Sequence, residues 1–594
     1  MDHHYKIHEA FGPHPPAKQF VLCFDGTGNK FAGDGSDTNL LKIYRMLDRS
    51  QSHQYHYYQP GIGTYVTSHN LTSRGRLERI KSSYKKAMDA ALGSSFDEHV
   101  LGGYKFLMRY YVPGDNIYFF GFSRGSYTAR FLAEMLDFVG LLQPGNEELI
   151  RFAWKTFAKW QQRKDSSEHD NEEKHRLFNF MKAFRETFSR PVGRIKFLGL
   201  FDTVNSVAMF ENAWMERNRF PYTAHSTARV IRHAVSIDER RAKFRQDLIS
   251  EASHLPGHKH RLKHLLDHAK SSVPEIILNT PENTNGVDRH QRRQSRQESV
   301  HEQRYRAVSP PPRRKTSTEV PEHRNLLPDG ISLKSGVSRA SLQVPNLVIP
   351  GTEEEEDDEQ DISEVWFPGQ HGDVGGGWKL NPEDKWPLSH IPLAWMVKEA
   401  QLVGLEFDKE KLKRFNCYEV SGDGSIEIKD ATGPNGIKAS SNSDRLVEND
   451  AFNTTLAKTM DQGIVHDCLT YGGGVSFLST LSWRLMEYLP IRRMDLQSDG
   501  SWRPIRWPLP CGETRDIPDD AQIHVSAIHR MEIDPRYRPG NLIIGGGGRG
   551  VKRAPEKYGI GEWEICKHEG DLVRQTYIRK KPASLCQDAL ASTE

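Results

Sequence analysis

The sequence predicts an α/β fold in which a mostly parallel sheet is covered by helices on both faces. Short apolar runs alternate along the chain with longer segments whose apolar residues recur at helical spacing. The runs lack the apolar-polar alternation of a sheet with one wet face, as expected for strands that are buried on both sides. Several runs also end at glycine-containing turns. Such an order of strand and helix is typical of a parallel sheet with crossover helices.

The bulk composition limits the classes of function. The chain has 594 residues, with 81 Lys and Arg against 78 Asp and Glu, and a net charge of +3. A chain of this length is expected to hold two large folded units or one domain with insertions. Because its charges are so evenly balanced, we expect no general nucleic-acid-binding surface.

The cysteines and the termini point to a reduced compartment. The six cysteines show no CxxC pair and no Cys/His spacing typical of a zinc site, so we expect neither a metal nor another cofactor. The first 16 residues lack the apolar run of a secretory signal. No later stretch approaches the roughly 20 apolar residues of a membrane-spanning helix. These features favour a soluble, cytoplasmic protein without a transmembrane segment.

The predicted elements follow from these patterns in chain order. Short apolar runs predict strands at 18–24, 116–122, 194–201, 232–237 and 362–367. Residues 53–60, HQYHYYQP, look like a further strand that ends at Pro60. Helical spacing predicts helices at 77–111 with a break at Gly93, and at 126–142, 147–162, 172–188 and 389–405. The charged segment 238–249 is also helix-like, and Asp238 at its start is an ordinary N-cap residue.

Composition changes sharply in the middle of the chain. Residues 265–361 are rich in Arg, Gln, Ser, Pro and Glu, with an acidic run at 353–359. Such a segment buries too little apolar surface to offset its ordering entropy, which predicts a disordered insertion. A regulated segment phosphorylated at Ser295 or Ser309 is the functional alternative.

The insertion and the strand pattern together predict the domain organisation. We expect a tail at 1–17, a catalytic domain in two parts at 18–264 and 362–405, and a C-terminal region at 406–594. The C-terminal region has mixed character and shows no motif that carries chemistry. It is expected to be a cap or an accessory subdomain.

The strongest chemical signal is the pentapeptide GFSRG around Ser123. A predicted strand precedes it and a predicted helix follows it, which is the setting of the nucleophile in α/β-hydrolases. The two glycines permit a sharp turn that holds the serine hydroxyl above the carboxyl edge of the sheet. The pattern therefore predicts a serine nucleophile; the alternative is an ordinary turn in which Ser123 caps the helix.

A serine nucleophile needs a general base and an acid that orients it. In this fold the acid and then the histidine usually follow the serine in the chain. His371 lies just beyond the strand at 362–367 in a glycine-rich loop, which makes it the candidate base. Asp202 and Asp238 each end a downstream strand. Chain order leaves both aspartates open as the acid.

Acyl transfer also needs donors for the oxyanion. One is expected to be the backbone N–H of Arg124, directly after the nucleophile. The other is expected from the loop after the first strand, at Asp25 and Gly26. That loop lacks the lysine of a phosphate-binding loop, and its alternative role is a plain turn.

Five motifs, in this order along the chain, resemble the catalytic domain of type VI secretion phospholipase effectors, which also occurs in fungal proteins. They are FDGTGN (24–29), GFSRGSYTAR (121–130), GLFDTV (199–204), DERRAKF (238–244) and EVWFPGQHGDVGGGW (364–378). The resemblance implies an α/β-hydrolase fold and phospholipase activity. It also implies a triad of Ser123, Asp202 and His371, with GLFDTV favouring Asp202 over Asp238.

The sequence thus predicts a serine hydrolase that cleaves carboxylic esters, with lipid esters as the leading substrates and transient contact with a membrane surface. Two alternatives remain. A metal-dependent hydrolase would use Asp25, Asp202, His371 and Asp373 as ligands. A scaffold without catalytic activity would bind partners through the insertion and the C-terminal region.

Overall fold

The predicted strands lie side by side in a single sheet. The computed structural model describes residues 17–27, 29, 31–50, 52–61, 96–161, 168–204, 228–249, 360–379, 385–418, 442–488, 493–496, 502–505, 512–544, 546 and 551–580. Over these ranges, nine strands form the central sheet. In chain order they are β1 Gln19–Phe24, β2 Gln54–Gln59, β3 Asn116–Phe122, β6 Phe197–Phe201, β7 Val230–Ser236, β8 Asp361–Phe367, β11 Gln522–His524, β12 Trp563–Lys567 and β13 Thr576–Arg579. Two separate pairs of short strands are β4 Leu141–Leu142 with β5 Ser189–Arg190, and β9 Arg493–Leu496 with β10 Trp502–Ile505.

The order across the sheet is β12-β13-β11-β8-β7-β6-β3-β1-β2. The seven strands from β11 to β2 are parallel to one another, and β13 runs antiparallel to β11 and β12. The carboxyl ends of β3, β6, β7 and β8 therefore meet at one edge of the sheet.

Helices connect the strands and cover them. In chain order they are α1 Asn39–Met46, α2 Phe96–Tyr110, α3 Arg124–Val139, α4 Ile150–Gln161, α5 Glu168–Phe188, α6 His371–Gly375, α7 His390–Leu402, α8 Lys409–Arg414, α9 Asn442–Gln462, α10 Phe477–Tyr488 and α11 Val525–Ile533.

Strand β1 shows that both faces of the sheet are buried. All six of its residues are buried. Phe20, Leu22 and Phe24 pack in one apolar cluster with α2 and α3, whereas Val21 and Cys23 pack in another with α1 and α7. Because successive residues of a strand point to opposite faces, this division places helices on both sides. The predicted α/β fold with a mostly parallel sheet is confirmed.

The segment after β7 is not the helix that its charges suggested. Residues 238–249 contain only a short 3₁₀ turn, Ala242–Phe244. Glu239 accepts hydrogen bonds from the N–H groups of Arg240 and Arg241 and from the Arg241 guanidinium. Further along, Gln246 pairs with Val204 in an isolated β-bridge. These contacts stabilise a non-helical backbone, so the predicted helix and the N-cap role of Asp238 are wrong.

The C-terminal region completes the central sheet. Strand β11 extends it from β8, and β13 and β12 follow. Trp366 of β8 packs in a shared cluster with Ile523 and Ile528, which belong to this region. All described residues accordingly belong to one compact unit, 1–259 with 354–594. The region after 405 is thus part of the catalytic fold, not the cap or accessory subdomain expected from the sequence.

Besides the tail at 1–17, apart from Ala17, two sequence predictions fall on residues outside those described. The first part of the predicted helix 77–111, with its break at Gly93, is one of them; the described part forms α2 from Phe96. The predicted insertion 265–361 is the other, apart from Gln360 and Asp361. Asp361 is the first residue of β8, one position before the predicted strand.

Candidate active site

Ser123 lies at the turn between β3 and α3. Its backbone has φ 58° and ψ −125°, a left-handed conformation that is rare for a residue with a side chain. A Cβ on Gly121 would come 2.4 Å from the Ser126 Cα, and one on Gly125 would come 2.0 Å from the Phe24 carbonyl oxygen. The turn therefore needs both glycines, as the pentapeptide predicted.

Asp202 follows β6, the neighbour of β3 in the sheet. Hydrogen bonds from the Ser123 N–H to the Phe201 carbonyl (2.9 Å) and from the Asp202 N–H to the Ala234 carbonyl (2.7 Å) extend the strand pairing to this edge. The Asp202 side chain is fully buried, and its Oδ2 lies 2.6 Å from His371 Nδ1. An N–H at Nδ1 leaves Nε2 of the ring as an acceptor.

His371 begins the short helix α6 after β8, and two aromatic rings enclose its imidazole. The Phe122 ring stacks on it with centroids 4.8 Å apart, and the Phe244 ring packs edge-on at 4.7 Å. A Cβ on Gly375 would come 1.8 Å from the Phe122 ring. The glycines that surround His371 in the sequence thus let its loop lie directly against the strand that carries Ser123.

The site holds the Asp202 carboxylate charged and the imidazole neutral. Burial alone would raise the pKa of Asp202, but the Arg515 guanidinium and His371 outweigh burial and lower the pKa. Burial lowers the pKa of His371, and Asp202 offsets this only in part. An uncharged imidazole at neutral pH is the form that accepts a proton.

Asp238, the other aspartate left open by the sequence, lies elsewhere. Its Oδ2 accepts hydrogen bonds from the Gly369 N–H at 2.6 Å and the Tyr537 hydroxyl at 2.8 Å. Burial raises its pKa to about 6. Asp238 therefore holds the start of the His371 loop, while Asp202 contacts the ring.

The predicted oxyanion donors differ in whether their N–H groups are already engaged in hydrogen bonds. Arg124 is the first residue of α3, so its N–H lies at the helix N-terminus as expected. The Asp25 N–H, however, donates to the Gln59 carbonyl at 2.9 Å, and the Gly26 N–H donates to Asp25 Oδ1 at 2.6 Å. Strand pairing and the local turn engage both groups in this structure, and their role as oxyanion donors stays a prediction.

The four ligands of the metal alternative are not assembled into one site. The Asp25 carboxylate accepts hydrogen bonds from the hydroxyls of Thr38 and Tyr58 at 2.8 Å and 2.7 Å. Asp373 Oδ1 lies 2.6 Å from His466 Nδ1. Within the described residues, no group of three His, Cys, Asp or Glu side chains is arranged to hold a metal ion.

Several residues around the imidazole were not predicted from the sequence. Glu239 Oε2 accepts the His371 N–H at 3.2 Å, and Arg241 both pairs with Glu239 and stacks over Phe244. All three lie in the motif DERRAKF, so that motif was the available signal. Arg515 also reaches Asp202 from the C-terminal region. No local pattern around Arg515 pointed to this contact.

Comparison with known proteins identifies the family. The model of the T6SS phospholipase effector Tle1-like catalytic domain matches residues 18–399. The chain belongs to the Tle1-like family. An uncharacterized protein of Saccharomyces cerevisiae is 32% identical over 576 residues, which cover 88% of this chain and 80% of the yeast protein. Membership of the Tle1-like family places the chain among phospholipase-type hydrolases.

Two solved structures show distant likenesses to this Tle1-like chain. An uncharacterized protein from Pseudomonas aeruginosa is 17% identical with a TM-score of 0.26, covering 66% of this chain and 46% of that protein. The Tle1 effector bound to the VgrG spike of the type VI secretion system is 16% identical with a TM-score of 0.18, covering 43% of this chain and 52% of the effector. The match thus spans about half the length of each of these two chains.

None of the helices in the described part of this Tle1-like chain is both long and apolar enough to cross a membrane.

Proposed function

We propose that the chain is a serine hydrolase that cleaves carboxylic esters of lipids with Ser123 as nucleophile, His371 as general base and Asp202 as the acid that orients it. The observation that carries the proposal is the 2.6 Å contact between Asp202 Oδ2 and His371 Nδ1, at the sheet edge where Ser123 occupies its strained turn. The family supports the lipid substrate, because its catalytic domain is that of phospholipase effectors.

The reaction follows from these roles. The Ser123 hydroxyl attacks the ester carbonyl and passes its proton to His371 Nε2, while the Arg124 N–H donates to the oxyanion. The protonated imidazole then gives this proton to the departing alcohol, leaving an acyl group on Ser123. Water attacks the acyl-enzyme by the same route and releases the carboxylic acid. Asp202 stays ionised throughout and stabilises the imidazolium.

The outer face of α10 supports transient contact with a lipid surface. Apolar side chains recur along this face at helical spacing, and Leu478 and Leu485 are 74% and 59% exposed. The inner face packs on the site. The rings of Trp483 and Phe244 have centroids 5.6 Å apart, and the Phe244 ring packs on His371. An exposed apolar face next to the imidazole suits a substrate that is drawn from a lipid aggregate.

Fluorophosphonate labelling of the purified chain tests the nucleophile against the alternatives. We expect labelling at Ser123, measured by peptide mass spectrometry, that survives EDTA and accompanies hydrolysis of phospholipid vesicles. Hydrolysis that EDTA abolishes, without labelling, would support the metal-dependent alternative. Neither labelling nor hydrolysis would support the scaffold.

Substitution of the proposed proton donor Ser123 or of the proposed acceptor His371 tests the mechanism. We expect Ser123→Ala and His371→Ala to lower turnover of p-nitrophenyl esters by about 10⁴-fold or more, because loss of a triad member leaves only the residual rate from oxyanion donors and binding. Thermal melting should show intact folds. Wild-type-like turnover in either folded variant would contradict the triad.

A further inference from the structure

Arg515 lies in the region of the chain where the sequence showed no chemical motif, yet it contacts the acid of the proposed triad. Its guanidinium donates from Nη1 to Asp202 Oδ1 at 2.6 Å and from Nη2 to Asp202 Oδ2 at 3.0 Å. The residue is 1% exposed and Asp202 is fully buried. This is a buried bidentate pair, in which the geometry of the donor matters most.

Further contacts fix the position of the guanidinium. Nη1 also donates to the Ser236 hydroxyl at 2.7 Å, and Nε donates to the Phe244 carbonyl at 3.0 Å. The Asn541 side-chain amide donates to the Arg515 carbonyl at 3.0 Å. Arg515 thus ties the carboxylate of Asp202 to β7 and to the segment whose Phe244 ring packs on His371. A lysine has one nitrogen and cannot make this set of contacts.

The charges around the imidazole balance only when Arg515 is included. Asp202 and Glu239 are the carboxylates that contact His371, through Nδ1 and through the backbone N–H. Arg241 pairs with Glu239, and Arg515 pairs with Asp202. Beyond these contacts, Phe122 and Phe244 cover the faces of the ring. Two negative and two positive groups surround the imidazole, so the cluster is neutral when the ring is uncharged.

We propose that Arg515 is a positioning residue that holds Asp202 against His371 and neutralises the buried cluster, so that the imidazole stays uncharged until it receives the proton of Ser123. This inference rests on the proposed function, since it assigns Arg515 a part in the same proton transfer. It gives the C-terminal region a direct part in the chemistry of the site.

The sign of the effect follows from the charge count. Without the guanidinium the cluster carries one net negative charge when the ring is neutral. An imidazolium would then be stabilised, so the pKa of His371 should rise. A raised pKa keeps the base protonated up to a higher pH. The acid limb of kcat/KM should therefore move to higher pH, whereas a role confined to packing would lower stability or rate without moving it.

The test compares Arg515→Gln with Arg232→Gln. Arg232 is a matched control, because it is also buried and pairs with two carboxylates, Glu399 and Asp361, away from the triad. We expect the acid limb of kcat/KM on a soluble ester to move up by about one pH unit or more in Arg515→Gln. It should stay in place in Arg232→Gln. Arg515→Lys keeps the charge and should leave the limb near its wild-type position while kcat falls.

Thermal melting shows whether Arg515→Gln folds, and a second variant covers the case in which it does not. Arg515→Met, with an unbranched apolar side chain, replaces Arg515→Gln if melting shows that the glutamine variant is unfolded. A loss of fold in both, with Arg232→Gln folded, would overturn the positioning role in favour of a structural one. An unmoved acid limb in a folded and active Arg515→Gln would overturn it as well.

A second readout separates this inference from the proposed function. NMR titration of ¹³C-labelled histidines, with the His371 signal assigned by its loss in His371→Asn, follows the ring without turnover. We expect the His371 pKa to be higher in Arg515→Gln than in wild type. If the His371 pKa rises in Arg515→Gln but the wild-type chain has no esterase activity, the inference is supported and the proposed function is contradicted. An unchanged His371 pKa in an active chain would contradict the inference alone.

Discussion

Two residues of the candidate site carry backbone strain. Ser123 has φ 58° and Asp202 has φ 41°, in the left-handed region that residues with side chains rarely adopt. Each such conformation costs on the order of 1–3 kcal/mol and persists only where surrounding contacts hold it. At Ser123 the neighbouring glycines make room for the turn, and at Asp202 four hydrogen bonds hold the carboxylate. The strain thus lies at two of the three residues of the proposed triad.

Asparagine substitution distinguishes the two aspartates. Asp202→Asn should lower turnover by about 10⁴-fold, because an amide cannot hold the Nδ1–H tautomer of His371 as a carboxylate does. Asp238→Asn should lower it far less, since the amide oxygen can still accept the Gly369 N–H. Steady-state kinetics on a soluble ester measures both. Similar losses in the two folded variants would contradict the assignment of Asp202.

The lowered pKa of His371 sets the pH dependence. The ring is a base only when unprotonated, and burial lowers its pKa below the ordinary 6.5 despite Asp202. We therefore expect the half-maximal point of kcat/KM on the acid side to lie below pH 6.5, with the loss due to uptake of one proton. End-point assays with a 4-methylumbelliferyl ester measure this limb, and circular dichroism checks the fold. A half-maximal point above pH 6.5 would contradict the expectation.

At the scale of elements, α10 has two different faces. Its inner side is fixed to the segment beside the imidazole, where the Ala242 N–H donates to Glu487 at 2.9 Å. Its outer side leaves Phe477, Leu478, Leu485 and Tyr488 exposed. A helix so placed links an exposed apolar surface to the sheet edge where Ser123 and Asp202 lie.

The double variant Leu478→Ser, Leu485→Ser tests this surface. We expect it to lower vesicle hydrolysis by on the order of tenfold, because each leucine contributes about 1 kcal/mol when it enters the lipid interface. Hydrolysis of a monomeric p-nitrophenyl ester should be unchanged. Leu402→Ser is the control, because Leu402 is also exposed but lies at the opposite edge of the sheet. Its neighbour Gly404 accepts a hydrogen bond there from the side chain of Gln19, the first residue of β1. Equal losses on vesicles and monomers would contradict lipid contact.

At the scale of the whole molecule, the catalytic fold is assembled from distant parts of the chain. The Ile249 N–H donates to the Glu364 side chain at 2.8 Å, so the two parts of the sheet meet across the predicted insertion. Strand β11 then pairs with β8, and Arg515 reaches Asp202. The site accordingly depends on residues before the insertion, directly after it and near the C-terminus.

Deletion of residues 270–355 should leave hydrolysis of a soluble ester largely unchanged. The segment has no core-forming pattern, and shortening a connection between ends that already meet changes the closure entropy only slightly. Kinetics on a p-nitrophenyl ester and thermal melting measure the effect. A deletion variant that is unfolded or inactive would show that the segment packs on the catalytic unit.

Local sequence was enough to predict the fold class, six strands of the sheet and the turn around Ser123. These features follow from local pattern, because a strand buried on both faces needs a continuous apolar run and a tight turn needs glycine at fixed positions. The glycines near His371 likewise indicated a loop that packs closely. The segment 238–249 was wrongly predicted as a helix. Its charged side chains make contacts that hold a non-helical backbone, and the spacing of charges in the sequence does not reveal these contacts.

Three contacts were observed first in the tertiary structure. Asp202 contacts His371, as the resemblance to the family implied, the Asp25 and Gly26 N–H groups are already hydrogen-bonded, and Arg515 completes the cluster. Asp202 and Asp238 both end parallel strands, so chain order places both at the same edge and leaves the direction of each side chain open. Arg515 lies 313 residues after Asp202 in the chain. The two meet only because β11 joins the sheet beside β8. Contacts of this kind depend on how strands pair, and strand pairing is set by packing over the whole chain, not by local sequence.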